Sequence, residues 1–252
     1  MIYILHNPNQ QSALFYDQKA IVFCVFICNF ADKNATKMKT RIVILDFDGT
    51  LGDSQTLITR TMRETLQRVG LPEKTEEECA KTIGLPLKQC FLALMDMTDE
   101  MAEKCTSAYR EIFERNNTHG AVPAFPGVIK TIKKLHDDGL TVTIASSRGH
   151  HSLAAFVEEL HLEPYISLIL GADDVEKAKP NAEPVLKTLH HFGLQPTEAL
   201  VVGDTAFDIL MGRNAGTKTC GVTYGNGSKE DLQAALADYI IDEFAEIEQC
   251  LE

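Results

Sequence analysis

Two aspartates follow an apolar run near the start of the chain, where Ile42–Leu45 leads directly into Asp46 and Asp48. Carboxylates are costly to remove from water, so this arrangement needs either a rapid exit to solvent or a chemical reason. Because alternate residues of a strand point to the same face, Asp46 and Asp48 can share one site while Phe47 points the other way. Asp48-Gly49 is also a hairpin signal, but the residues after it have a helical pattern. The pair therefore indicates chemistry at the end of a buried strand.

Polar side chains that could join this site follow three later apolar segments. They are, in chain order, Ser146 and Ser147, then Lys179, then Asp204 and Asp208. Each has an ordinary alternative, since the serines and Asp204 could cap helices and a Lys-Pro pair is usually part of an exposed loop. Ligands of an open parallel sheet bind outside the carboxyl ends of its strands. Four such groups at one edge therefore favour a common site over four coincidences.

Phosphoryl transfer is the reaction that uses all of these groups. A carboxylate can attack a phosphomonoester when a metal and cations neutralise the charge of both partners, and Asp46 is the predicted nucleophile. Mg²⁺ binds one or two carboxylates together with phosphate and water, and Asp46 and Asp204 could supply them. Lys179 would balance charge on the transferring group. Ser146 and the backbone amides near Gly49 would donate hydrogen bonds to its oxygens.

Asp48 has a separate predicted role as the acid and base of the reaction. Ester cleavage needs an acid to protonate the leaving oxygen and a base to activate water, and one carboxyl can do both in turn. Crowding among the four aspartates should raise the proton affinity of the carboxyl that does not bind the metal. We expect that carboxyl to be Asp48.

The elements that must position these groups alternate between short strands and helices from residue 41 onward. The predicted strands are Ile42–Leu45, Thr141–Ala145, Leu168–Leu170, Leu200–Val202 and Thr219–Val222. The predicted helices between them lie at about 128–138, 150–161, 181–192, 206–214 and 229–237. This alternation predicts right-handed βαβ units, and so an α/β fold whose mainly parallel sheet has helices on both faces.

One interval interrupts the alternation, because the first and second predicted strands are separated by residues with no good strand. Helical patterns occupy about 54–69, 75–83, 86–96 and 98–117. We therefore predict a helical insertion at residues 53–122, returning to the core through the stiff segment Val122–Gly127. The catalytic core would consist of residues 41–52 and 123–252.

Residues 1–40 differ from the rest of the chain. Their apolar run, Ala20–Cys28, is shorter than the 20 or so residues of a membrane-spanning helix. It could belong to a signal peptide, but it has no strongly basic start and no convincing small-residue cleavage site. We favour a non-essential or mis-assigned extension, with Met38 as an alternative start.

The composition limits the classes of molecule that the protein is expected to bind. The net charge of −12 argues against nucleic acid or an anionic membrane surface as the main partner, since either favours a basic patch. The seven cysteines show no framework spacing, which is typical of reduced thiols in a cytoplasmic protein. We expect a small phosphorylated metabolite as partner, no stable membrane association, and a monomer or small homo-oligomer.

As an ordered set these motifs resemble the haloacid dehalogenase superfamily of aspartate-nucleophile phosphotransferases, over about residues 41–240. The resemblance implies a Rossmann-like core, Mg²⁺ dependence, an aspartyl-phosphate at Asp46, a backbone carbonyl of Asp48 in the metal shell, and an α-helical cap formed by the helical insertion. The phosphate-binding candidates are Gly49, Thr50, Ser146, Ser147 and Lys179. The metal-ligand candidates are Asp46, Asp48, Asp204 and Asp208.

Within the superfamily, Asp48 argues against the dehalogenases and the enzymes that cleave carbon–phosphorus bonds, which lack or tend to lack it. The segments Asp48–Ser54 and Gly84–Pro86 are similar to phosphoglycolate-phosphatase-type enzymes. A β-phosphoglucomutase-like mutase is the alternative, although Ile58 and Leu87 stand where those enzymes usually have a histidine and a cap arginine. A non-catalytic binding protein with this fold is a further alternative, and the filled catalytic positions argue against it.

Six basic residues outside the motifs are candidates for contact with substrate. The candidates on the helical insertion are Arg60, Arg63 and Lys88, and those beside the second motif are Arg148, His150 and His151. His190 and His191 are expected to be structural, because their predicted helix lies far from the strand ends.

Overall fold

The structure is a computed structural model that describes residues 40–251. The predictions made for residues 1–39 lie outside that range. Among the described residues, no helix is both long and apolar enough to cross a membrane.

A six-stranded parallel sheet forms the centre of the fold, in the order β3-β2-β1-β4-β5-β6. The strands are β1 (Ile42–Leu45), β2 (Thr141–Ala145), β3 (Leu168–Leu170), β4 (Ala199–Gly203), β5 (Lys218–Val222) and β6 (Tyr239–Ile241). The predicted α/β class and the five predicted strands are confirmed, with β4 and β5 one or two residues longer than expected. β6, whose three residues form an edge of the sheet, was not predicted.

Nine α-helices occur in the described part of the chain. They are α1 (Gln55–Val69), α2 (Glu76–Ala80), α3 (Leu87–Leu94), α4 (Asp99–Asn116), α5 (Val128–Asp137), α6 (His150–Glu159), α7 (Glu183–Phe192), α8 (Ala206–Ala215) and α9 (Lys229–Ala234). Glycines in left-handed conformation end α1, α7 and α8, because this conformation costs glycine little. The helix expected at 229–237 is shorter than predicted and ends at Ala234.

β1 is buried at every position, because helices cover both faces of the sheet. Val43 and Leu45 belong to the apolar cluster on one face, and Ile42 and Ile44 to the cluster on the other. Burial of each such side chain stabilises the fold by about 1.5–3 kcal/mol relative to exposure. The central strand therefore holds the residues that follow it in a fixed position.

The four helices α1–α4 lie between β1 and β2 and have an apolar cluster of their own. Met62, Leu66, Phe91 and Cys105 are at its centre, and α1 packs against α4. The two connecting segments lie side by side, since the Asp53 amide donates to the Pro123 carbonyl at 2.8 Å. The helical insertion is thus joined to the sheet by two connecting segments that lie next to each other.

Candidate active site

Asp46 begins the site at the carboxyl end of β1. Its amide donates to the Val202 carbonyl at 2.9 Å, which continues the pairing of β1 with β4 and fixes the backbone. Its side chain is buried, and Asp46 Oδ1 lies 2.5 Å from the ammonium nitrogen of Lys179. The same nitrogen lies 2.5 Å from Asp208 Oδ1. Lys179 therefore joins the end of β1 to α8.

Asp46, Asp204 and Asp208 form what we call the carboxylate cluster. One carboxylate oxygen from each lies within 4.8 Å of the others, and all three residues are buried. Burial, together with the neighbouring carboxylates, raises the pKa of Asp46 to about 8 although Lys179 acts in the opposite direction. Burial and the charge of Asp208 raise the pKa of Asp204 to about 7. The cluster therefore has a deficit of positive charge.

Lys179 remains protonated in this setting. Burial alone would lower its pKa, but the charges and hydrogen bonds of Asp208 and Asp46 outweigh burial and raise it. A buried ammonium with two carboxylate partners is compensated, whereas an unpaired one would be costly. Lys179 is thus a fixed cation beside the predicted nucleophile.

Gly49 and Thr50 lie against Asp204 as a tight turn. The Thr50 hydroxyl donates to Asp204 Oδ1 at 3.0 Å. Gly49 has φ +87°, and a Cβ there would come within 2.1 Å of both Asp204 and Asn226. Glycine is required at this position both by conformation and by space.

The segment after β5 supplies contacts that the sequence analysis missed. The Asn226 amide donates to Asp204 Oδ2 at 2.7 Å, and the Asn226 side chain donates to the Asp48 carbonyl at 3.3 Å. The Tyr224 hydroxyl donates to the Thr50 carbonyl at 2.8 Å. A signal was available, because Gly225-Asn226-Gly227 follows a strand at the same edge of the sheet.

Asp48 is held apart from the carboxylate cluster by its own partners. Ser54 donates to Asp48 Oδ1 at 2.6 Å. Arg148 binds both oxygens, with Nε 3.0 Å from Oδ2 and a terminal nitrogen 2.5 Å from Oδ1.

Ser146 and Ser147 face different surroundings. Ser146 is buried at the end of β2, and its hydroxyl accepts from the Arg148 amide at 3.4 Å. The Ser147 hydroxyl donates to the Gly84 carbonyl at 2.7 Å, which lies in the helical insertion. Ser147 therefore links the core to the insertion.

The other basic candidates on the helical insertion pair with neighbouring carboxylates at its surface. These pairs are Arg60 with Glu64, Arg63 with Glu76, and Lys88 with Asp99 and Glu103. Nδ1 of His150 lies 2.6 Å from Asp174, and His151, His190 and His191 are exposed. Arg148 is the candidate that the structure brings to the site.

The carboxylate cluster fits a hard divalent cation. Mg²⁺ prefers oxygen ligands, and Asp46, Asp204 and Asp208 offer carboxylate oxygens close together. The Asp48 carbonyl lies in the same turn and accepts from Asn226. The raised pKa values also indicate that further positive charge would stabilise this cluster.

Comparison with known proteins identifies the family once this geometry is known. The family model described as haloacid dehalogenase-like hydrolase matches residues 43–222, which is more than half of the chain. The chain belongs to this family. A protein of Dickeya dadantii described as "Probable phosphatase IndB" is 33% identical over 210 residues, covering 82% of this chain and 91% of that protein. The pyrophosphatase PpaX of Anoxybacillus flavithermus is 31% identical over 211 residues, covering 83% and 96%.

Solved structures agree with the fold. A haloacid dehalogenase-like hydrolase from Bacteroides fragilis has a TM-score of 0.79 and 27% identity, covering 83% of this chain and 100% of that one. A structure from Haemophilus somnus with a TM-score of 0.75 and 23% identity shares the fold. The expected family, the Rossmann-like fold and the assignment as a phosphoester hydrolase are confirmed.

Proposed function

We propose that the protein is a Mg²⁺-dependent phosphatase that hydrolyses a small phosphorylated metabolite through an aspartyl-phosphate at Asp46. The observation that carries the proposal is the contact of Asp46 with Lys179 inside the carboxylate cluster, with Asp48 two residues away. A nucleophile, a cation and a separate acid and base then lie at one edge of the sheet. This is the set that phosphate-ester cleavage requires.

The metal would be held by Asp46, Asp204, Asp208 and the backbone carbonyl of Asp48. Bound Mg²⁺ would supply neutralisation of the negative charge on the phosphoryl oxygens and on the attacking carboxylate. The position of Lys179, 2.5 Å from both Asp46 and Asp208, allows it to contribute to the same neutralisation. Ser146 and the backbone amides after Asp48 would orient the phosphoryl oxygens.

Asp46 and Asp48 supply the nucleophile and the proton transfers that the reaction needs. An oxygen of Asp46 forms a bond to phosphorus while the bond from phosphorus to the ester oxygen breaks, and Asp48 gives its proton to that leaving oxygen. Asp48 then takes a proton from water, whose oxygen bonds to phosphorus as the bond to Asp46 breaks. Orthophosphate leaves, and both aspartates return to their starting states.

A small substrate suits the position of the helical insertion. Ser147 binds the Gly84 carbonyl, and a Cβ at Gly84 would lie 3.2 Å from side-chain atoms of Thr205 and Phe207. The insertion therefore approaches the carboxylate cluster closely at this loop. The pyrophosphatases among the relatives support a compact, highly charged substrate such as pyrophosphate, beside phosphoglycolate-type monoesters.

The test is phosphate release from a panel of substrates by purified protein with Mg²⁺. The panel contains p-nitrophenyl phosphate, pyrophosphate and small phosphomonoesters. We expect turnover of at least one of them and its loss, by on the order of 10⁴-fold or more, in Asp46→Asn with the fold intact by circular dichroism. No release from any substrate would refute the phosphatase, and undiminished turnover in Asp46→Asn would refute the nucleophile.

The same panel separates the alternatives. A mutase would convert one hexose phosphate into its isomer and release little phosphate, and a binding protein would do neither. Ile58, at the position where a mutase has histidine, packs in the apolar cluster of the helical insertion, which supports the hydrolase. We also expect a cytoplasmic enzyme, since the five described cysteines are buried and free.

A further inference from the structure

Arg148 is an almost fully buried cation at the junction of the core and the helical insertion. Its side chain is only 8% exposed. The guanidinium carbon lies 4.9 Å from the ring centre of Phe113 and 5.0 Å from that of Phe156, and Phe113 belongs to α4 of the insertion. Stacking on aromatic faces restricts a guanidinium to one plane. Arg148 is thus pre-oriented by both parts of the molecule.

The present partner of Arg148 is the residue that must act as the acid. Asp48 receives two hydrogen bonds from Arg148 and one from Ser54. Both Asp48 oxygens therefore already accept hydrogen bonds from Arg148 and are not available to a leaving oxygen. The arrangement therefore has to change before the proton can be delivered.

We propose that Arg148 determines substrate specificity by binding an anionic leaving group, which takes the place of the Asp48 carboxylate at the guanidinium. The ligand is the second phosphate of a diphosphate or the carboxylate of a short phosphorylated acid. Both present two oxygens that match the guanidinium fork, as the Asp48 carboxylate does here. This inference rests on the proposed phosphatase function and names the class of substrate for it.

This exchange links binding of the leaving group at Arg148 to proton transfer by Asp48. An anionic leaving group that binds Arg148 leaves Asp48 with Ser54 as its partner, so the Asp48 side chain is free to turn toward the leaving oxygen. A neutral leaving group offers Arg148 no competing anion, so Asp48 stays paired with it. Substrates with a charged leaving group are therefore selected through the acid step as well as through binding.

Other cations of the site are less suited to this role. Lys179 is held between Asp46 and Asp208, on the side of the transferring phosphoryl group. Arg60 and Arg63 have side chains about half exposed and pair with Glu64 and Glu76. Arg148 combines burial, a fork geometry and direct contact with the acid.

The experiment compares pyrophosphate with p-nitrophenyl phosphate in wild type, Arg148→Met and Arg148→Lys. We expect Arg148→Met to lower kcat/KM for pyrophosphate about 10- to 100-fold, the range of a lost charge-assisted hydrogen bond, and to lower it much less for p-nitrophenyl phosphate. Arg148→Lys should fall between, because a lysine keeps the charge and loses the fork. Lys88→Met is the control and should preserve the wild-type ratio of the two substrates.

Calorimetry separates this inference from the proposed function, because binding does not require turnover. Wild type with Mg²⁺ should bind the non-hydrolysable methylenediphosphonate more tightly than Arg148→Met does, while orthophosphate affinity stays equal. Equal losses for both substrates, or equal methylenediphosphonate affinities, would overturn the role of Arg148. If Arg148→Met fails to fold, Arg148→Lys alone decides, through the ratio of the two substrates. Absence of turnover in wild type contradicts the phosphatase and leaves the binding comparison to decide on Arg148.

Discussion

The carboxylate cluster and the helical insertion hold their charged groups in different ways. Asp46, Asp204 and Asp208 are buried and share Lys179, whereas the insertion pairs Lys88 with Asp99 at its surface. Exposed pairs contribute little because water screens them, but removal of one partner from a buried set leaves uncompensated charge. The comparison indicates that the core site depends on the charge balance between Lys179 and its carboxylate partners, whereas apolar packing stabilises the insertion.

The largest expected effect is on Lys179. Lys179→Met removes the cation shared by Asp46 and Asp208, and we expect the free energy of unfolding to fall by about 3–5 kcal/mol. Urea unfolding measures it, with Lys88→Met as the matched control whose midpoint should not move measurably. A similar loss in both variants would contradict the contrast between the two regions.

The second prediction concerns the apolar packing that stabilises the helical insertion. Leu66 is fully buried in the apolar cluster of the helical insertion, and Leu66→Ala should lower the free energy of unfolding by about 2–5 kcal/mol. Leu186, about half exposed on α7, is the control, since surface substitutions usually stay within about 0.5 kcal/mol. Thermal melts of both variants give the result, and equal melting temperatures would show that the insertion is loosely packed.

The residues of the core site could be predicted from the sequence more fully than the contacts of the helical insertion. Asp46 and Asp204 follow strands directly and Lys179 lies in the loop after β3, so the carboxyl-end rule for parallel sheets was enough to bring the three together. β6 was missed because three residues carry almost no periodic signal. Asn226 was missed because it follows β5 in a loop that carries no carboxylate and no cation.

Contacts of the helical insertion could not be predicted in the same way. The positions of Arg148 and Ser147 depend on how α4 and the Gly84 loop approach the core, and no local spacing encodes that approach. Arg60, Arg63 and Lys88 were equally good candidates from sequence, because the pattern of a helix does not reveal which carboxylates lie beside its cations. Long-range packing decided between them.

The carboxylate cluster should make the stability of the metal-free protein depend on pH. The pKa values of Asp46, about 8, and Asp204, about 7, are raised by folding, so their contribution to stability is present at low pH and is lost as pH rises through 7 and 8. In EDTA, the melting temperature should therefore fall by several degrees between pH 6 and pH 8.5.

Mg²⁺ should reverse this loss, because a metal competes with protons for the same carboxylates. We expect a larger increase in melting temperature at pH 8.5 than at pH 6, and a reduced pH dependence in EDTA for Asp46→Asn. Equal stabilisation by Mg²⁺ at both pH values would contradict the assignment of the cluster as the metal site.

The smallest expected effect concerns the contact between the two regions. Ser147→Ala removes the hydrogen bond from the Ser147 hydroxyl to the Gly84 carbonyl, 2.7 Å long, and a neutral bond of this kind contributes about 0.5–1.5 kcal/mol. If the bond holds the helical insertion close to the carboxylate cluster, the variant should raise KM by about two- to tenfold, with kcat nearly unchanged and the melting temperature lower by about 1–5 °C. Exposed Ser167 provides the matched control, since Ser167→Ala should alter none of the three. A loss in kcat at constant KM would instead place Ser147 on the phosphoryl group, as the sequence alone suggested.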